Sequence, residues 1–203
     1  DPTTTGHVSL AIRDAIDAGL FPGPRISTSG RQITNRQGLS DWYPSWIGVP
    51  ETSIGVLCRD AAEGIAEIRL EVKDGVDFIK IAIDGDSMNP SSNVLVAGYD
   101  QDEMTAMVRE AHRLGKKVVV HARGAEGVLY SARAKADIIF HGAWMDDAGL
   151  EAVVENGCAL CPSLSLVVND TFTHSIAPCF QLCNFSAHIF YFRFYVRDHR
   201  AVF

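Results

Sequence analysis

The sequence predicts an α/β protein built on a parallel sheet. From residue 54 to 164, apolar runs of strand length alternate with segments of helical periodicity, and Gly75, Gly115 and Gly157 sit where helices should stop. Strict alternation of this kind makes right-handed βαβ units, which assemble into an open doubly wound sheet or a β/α barrel. No G-x-G-x-x-G or G-x-x-x-x-G-K-[ST] follows any of the strands, which argues against the nucleotide-binding versions of either.

Taken in order, residues 8–19 place Val8, Ala11, Ile12, Ala15 and Ile16 at helical spacing and predict an amphipathic helix. Residues 23–30 read as a short strand between glycines. An aperiodic loop is expected over 31–52, with Trp42, Tyr43, Pro44 and Trp46. Loops of that length in compact domains are more often functional than idle. Its aromatic side chains either line a substrate pocket or pack on the outside of the fold. Helical spacing returns over 54–73, through Ile54, Leu57, Cys58, Ala61, Ile65, Ile68 and Val72. Residues 77–83 form a strand whose period-two alternation puts Phe78, Lys80 and Ala82 on one face and Ile79, Ile81 and Ile83 on the other.

A polar loop over 84–98 leads to a helix with Asp100 as N-cap, Glu103 at the capping-box position and Gly115 as its end. The rhythm then shortens: strand 117–121, helix 125–134, strand 137–141, helix 146–156 and strand 158–164. Residues 171–203 are crowded with Phe and Tyr and do not continue it. The expected organisation is a βα unit over 1–170 followed by an aromatic-rich tail of uncertain structure.

Composition excludes some functions. The 203 residues are 47% hydrophobic, enough for one sizeable core, and the net charge of −7 without a basic run argues against nucleic acid or an anionic membrane as partner. No apolar run approaches a membrane span and the first residues lack signal-peptide regions, so a cytoplasmic protein is expected. Cys158 and Cys161 form a C-x-x-C inside an apolar run, where cysteines behave as small buried hydrophobes.

Lys80 is the residue that asks for a chemical reason. A buried ammonium is costly, so a lysine centred in an apolar strand either reaches water from an edge or loses its proton, is paired or is chemically altered. His121 and His141 end successive strands, and catalytic groups gather at the carboxyl ends of strands in parallel β/α folds. Two imidazoles there suit a divalent metal. Tyr99, Arg123 and Trp42 are the candidates for substrate contact, with packing or surface duty as the alternative.

Several stretches together carry a family resemblance: Phe-Ile-Lys80-Ile, the helix end Glu110-Ala-His-Arg-Leu-Gly-Lys116, Val-Val-Val-His121-Ala, Ile-Ile-Phe-His141-Gly, and 15–26 with 29–34. They resemble the amidohydrolase superfamily, in its imidazolonepropionase-like and dipeptidase-like branch, near the members that hydrolyse phenylureas and thiocarbamates. The resemblance covers about residues 8–165. It implies a partial (β/α)8 TIM barrel, about strands three to seven with their helices, strands one, two and eight being missing or unassignable.

It further implies a two-metal centre, zinc by default, with Lys80 as the carboxylated lysine that bridges the metals and His121 and His141 as ligands of the second. The chemistry implied is hydrolysis of an amide, carbamate, urea or dipeptide C–N bond in a small-molecule substrate by a metal-activated hydroxide. The family's H-x-H motif of strand one is absent, and neither Asp170 nor Asp198 follows a family-like strand, so no catalytic aspartate is assigned. Asn35-Arg-Gln-Gly38 stands where the family has Gly-Gly-His-Gly. A competing expectation is therefore an incomplete, non-catalytic barrel fragment that at most binds metal and, having open strand edges, forms a homo-oligomer. An open-sheet binding protein with two structural histidines is the third, favoured if Lys80 is exposed.

Overall fold

The computed structural model of the chain describes residues 1–86 and 92–163. Its elements in chain order are α1 (Val8–Asp17), β1 (Gln32–Thr34), β2 (Gly55–Leu57), α2 (Ala61–Lys73), β3 (Phe78–Ala82), α3 (Gln101–Arg113), β4 (Lys117–Gly124), α4 (Ala125–Arg133), β5 (Ile138–Trp144), α5 (Asp147–Glu155) and β6 (Ala159–Cys161). The aromatic-rich residues 171–203, with Asp198, and Asp170 before them, lie outside the described residues.

The six strands form one parallel sheet in the order β2-β1-β3-β4-β5-β6. From β3 onward each strand is followed by its spatial neighbour, always in the same direction. The reversal at β2 carries no helix, since β1 and β2 are joined by a loop; the crossovers from β2 onward all run the same way, and right-handed crossovers in one direction leave their helices on one face, as in a barrel. In agreement, α2 packs on α3, α3 on α4 and α4 on α5.

Alternation along the strands sorts the side chains. Ile79, Ile81 and Ile83 of the β3 segment, Val118, Val120 and Ala122 of β4 and Ile139 of β5 meet Ile68, Met104, Met107, Val108, Ala111, Val128 and Ala132 of the helices in one buried core. The opposite face receives Lys80 and Ala82, then Val119 and His121, then Ile138 and Phe140, which the register sets side by side. Tyr99 belongs to the core. It is fully buried, and its hydroxyl donates to the carbonyl of Cys58 at 2.8 Å. Burial raises its phenol above the ordinary range.

Three local expectations are corrected. Residues 23–30 do not form a strand: Pro24 has no N–H to give, and the backbone of 28–30 instead bonds to Asp1, Thr4 and Asp77. The strand comes just after, as β1, once Gly30 has turned the chain through φ +67°. The helix expected over 54–73 begins only at Ala61, because Asp60 caps it by accepting from the Glu63 amide at 2.9 Å, and 55–57 pair with β1 instead. Cys161 is exposed rather than buried, since it lies on β6 at the edge of the described sheet, while Cys58 and Cys158 are buried thiols that burial pushes up to about 12 and about 11.

The capping box of α3 is present as expected, with the Asp100 side chain accepting from Glu103 N and the Glu103 side chain accepting from Asp100 N. Asp100→Ala is expected to lower the unfolding free energy by about 1 kcal/mol. Tyr99→Phe, which strands the Cys58 carbonyl, should lower it by about 1–3 kcal/mol, both read from urea midpoints. An unchanged midpoint in Tyr99→Phe would mean that the hydroxyl has another role.

Candidate metal centre

Lys80 is held by an interior strand, since β3 pairs with β1 on one side and β4 on the other. It is 3% exposed, and its Nζ has no hydrogen-bond partner among the described residues. This removes the edge-strand expectation, in which the amine reaches water. The side chain lies along the apolar interior face, with Nζ 4.4 Å from the centre of the Phe140 ring. Desolvation brings its pKa down to about 7, against an opposing pull from Asp84. The neutral amine is thus accessible near physiological pH.

His121 lies in register with Ala82 of β3 and Phe140 of β5, on the face that carries Lys80. Simple alternation would send the next residue on β5, His141, to the helix side. The backbone prevents this: His141 has φ +78° and Gly142 φ +60°, two successive left-handed residues. The turn brings the His141 ring to 4.6 Å from that of His121, edge to face. For a residue with a Cβ this conformation costs on the order of 1–3 kcal/mol. Burial, then His121, Arg123 and Lys80, lower the His141 pKa to about 2, so its imidazole stays neutral.

His121 is 2% exposed, and its Nε2 lies 2.9 Å from the carbonyl oxygen of Gly85. A carbonyl can only accept, so Nε2 carries a proton, and in the neutral imidazole the lone pair is on Nδ1. Arg123 is buried on the same face, two residues on. Trp42 approaches from the 31–52 loop, its indole Nε1 donating to Asp86 at 3.1 Å. The structure thus brings Lys80, His121, His141 and Arg123 to one face and ties Trp42 to the segment that follows β3. Tyr99 is committed to the core. Asn35, from the divergent 35–38 loop, is buried and donates to the carbonyls of Ala82 and Ile83, closing the end of β3.

One residue escaped the sequence reading. Asp84 is 1% exposed and stands 3.2 Å, through Oδ1, from His121 Nε2. The signal that could have found it is an acidic residue placed directly after the carboxyl end of the Lys80 strand, where polar loop residues are otherwise unremarkable.

The donor set fits a metal ion in its chemistry: a neutral-prone amine without a hydrogen-bond partner among the described residues, a neutral imidazole and a second imidazole whose neutral form keeps its lone pair on Nδ1. Among the described residues no three His, Cys, Asp or Glu side chains converge to hold a metal, so a site here depends on Lys80. A separate open pocket of about 500 Å³ lies beside β2, lined by Arg36, Cys58, Arg59, Glu63 and Glu67 among others, and does not include these residues.

No family model matches the chain. The ochratoxinase of Aspergillus niger is 25% identical over 172 residues, 77% of this chain, and this chain spans 35% of its length. Among solved structures, a Xaa-Pro dipeptidase with methionine bound in its active site matches with TM-score 0.71 and 31% identity over 79% of this chain and 40% of that one. An amidohydrolase matches with TM-score 0.69 and 29% identity over 79% and 41%. Phenylurea hydrolase B, at 20% identity and TM-score 0.60, shares the fold. These relatives are hydrolases, and the sheet is part of the same (β/α)8 barrel. On its fold and these likenesses, the chain is a member of the amidohydrolase superfamily, of whose larger barrels it spans about two fifths.

Proposed function

We infer that this chain carries the Lys80 half of a metal-dependent hydrolase site that cleaves a C–N bond in an amide, carbamate, urea or dipeptide. The observation that carries the reading is the amine of Lys80, buried and without a hydrogen-bond partner among the described residues, on the sheet face that holds the His121–His141 pair. A buried amine that is neutral near pH 7 can attack carbon dioxide. A new N–C bond forms, the nitrogen loses its proton, and the product is an anionic carbamate with two oxygen donors. His121 and His141 would supply nitrogen donors beside it, zinc being the default ion.

A divalent metal in such a site supplies a bound water acidic enough to attack at neutral pH and polarises the scissile carbonyl. The chain's own residues do the rest. Burial keeps His141 deprotonated and hence a donor. Arg123 sets a permanent positive charge beside it, suited to an anionic group of the substrate, while Trp42 offers an apolar plane at the mouth. Hydrolases such as the ochratoxinase and the Xaa-Pro dipeptidase, in the sequence and structural comparisons, support the C–N class.

Two measurements test this. Purified without chelator and supplied with bicarbonate, the chain should retain near-stoichiometric zinc, and the double variant His121→Ala, His141→Ala should lose it. A metal-free wild type would leave a non-catalytic fragment. The second measurement concerns Lys80 alone. Its pKa near 7 in the folded state lies below its ordinary 10.5, so between those values the unfolded chain binds more protons and stability rises with pH. In metal-free, bicarbonate-free buffer the unfolding free energy of wild type, relative to Lys80→Met, should be flat below pH 7 and climb from there towards 10.5. A difference independent of pH would refute a buried, neutral-prone amine.

A further inference from the structure

We propose that Asp84 is a positioning residue that fixes the tautomer and orientation of His121, presenting Nδ1 as its metal-binding atom. The consequence for metal binding rests on the function inferred above, but the tautomer does not.

The carboxylate is wholly buried and held at one oxygen. Oδ2 accepts from the amides of Arg123 at 2.7 Å and Gly124 at 2.9 Å. Those two amides lie where the register between β4 and β5 slips, and Gly124 is also the N-cap of α4. A carboxylate thus sits at a helix N-terminus, where positive amide ends favour it. Space is kept for it by Gly127 of α4, on which a Cβ would stand 2.8 Å from Oδ2 and 3.0 Å from Ile83. With Oδ2 anchored, Oδ1 is left buried with no hydrogen-bond partner among the described residues, and it stands 3.2 Å from His121 Nε2.

Nε2 of His121 therefore has two oxygen neighbours, the carbonyl of Gly85, its hydrogen-bond partner at 2.9 Å, and Oδ1 of Asp84, a charge contact at 3.2 Å. Both only accept. An imidazole between two acceptors keeps its proton on that nitrogen and turns its lone pair, on Nδ1, away from them. Metal-binding histidines are commonly fixed through their other ring N–H by a carboxylate or carbonyl, and loss of such a partner typically weakens metal binding 10- to 100-fold. A carboxylate that only clamped β4 would need Oδ2 alone.

The test reads the imidazole directly, in the full chain without metal at about pH 8, by nitrogen-resolved NMR of the histidine ring. Wild-type His121 should be a single Nε2–H tautomer; an Nδ1–H tautomer overturns the proposal. Asp84→Asn can still accept the two backbone amides through its oxygen but turns an amide N–H toward Nε2. The tautomer should then shift to Nδ1–H, and the dissociation constant for zinc, measured against a competing chelator with bicarbonate present, should rise 10- to 100-fold. A variant that keeps both the Nε2–H tautomer and wild-type zinc affinity would leave Asp84 as a clamp only and overturn the proposal. Gly127→Ala displaces the carboxylate without changing its chemistry, so it serves if Asp84→Asn does not fold, and should give a mixture of tautomers with an intermediate loss of affinity. An Asp84-dependent tautomer in a wild type that retains no zinc would support the positioning role and sink the metal reading, so the two failures are distinguishable.

Discussion

The structure depends on the two-faced alternation of β3. One set of side chains, Ile79, Ile81 and Ile83, closes the core against the helices, and that core is what holds the strand in place. The other set must then face the interior of the barrel, and Lys80 goes with it. A shift of one residue in register would exchange the two sets, burying the lysine among the helices and turning three isoleucines inward. The chemistry of the site is therefore guarded by hydrophobic packing on the reverse side of the same strand.

Burial on the interior face acts on Lys80 and His141 in the same direction. Lys80 and His141 both have their pKa lowered by desolvation, and Lys80 adds to the pressure on His141 to stay neutral. Such groups gather where a cation of higher charge can replace the missing protons, a pattern seen at functional sites more than elsewhere. The outer surface differs. Glu110 is gripped by Arg113 and Arg69 and held low, to about 2, and Glu63 by Arg59, but the arginines of these pairs are exposed to solvent, so their worth is small and screened by salt.

Much of this was legible in the sequence. The βα rhythm, the faces of β3 and the capping box at Asp100 follow from period and spacing, while the burial of Lys80 stays open in the sequence and follows from β3 pairing on both sides. What was not legible depended on contacts distant in sequence. Residues 55–57 look helical because Ile54, Leu57 and Cys58 fall at helical spacing, yet pairing with Gln32 to Thr34 and the cap at Asp60 override it. Tyr99 followed a loop and looked available, but the carbonyl of Cys58, far away in the chain, claims its hydroxyl. Nor can a sequence state that His141 takes a left-handed backbone. Without that turn the two histidines of adjacent strands would lie on opposite faces.

The left-handed pair His141–Gly142 also bears on how this barrel segment can change. Glycine would accept φ +78° without penalty and asparagine with little, while a histidine there is held against its own preference. Variation filtered for thermal robustness alone would drift toward those residues at position 141 and shed the ring that meets His121. Retaining the imidazole in such a lineage would require a second filter acting on the chemistry, and a library sorted by both criteria would separate at this one backbone angle.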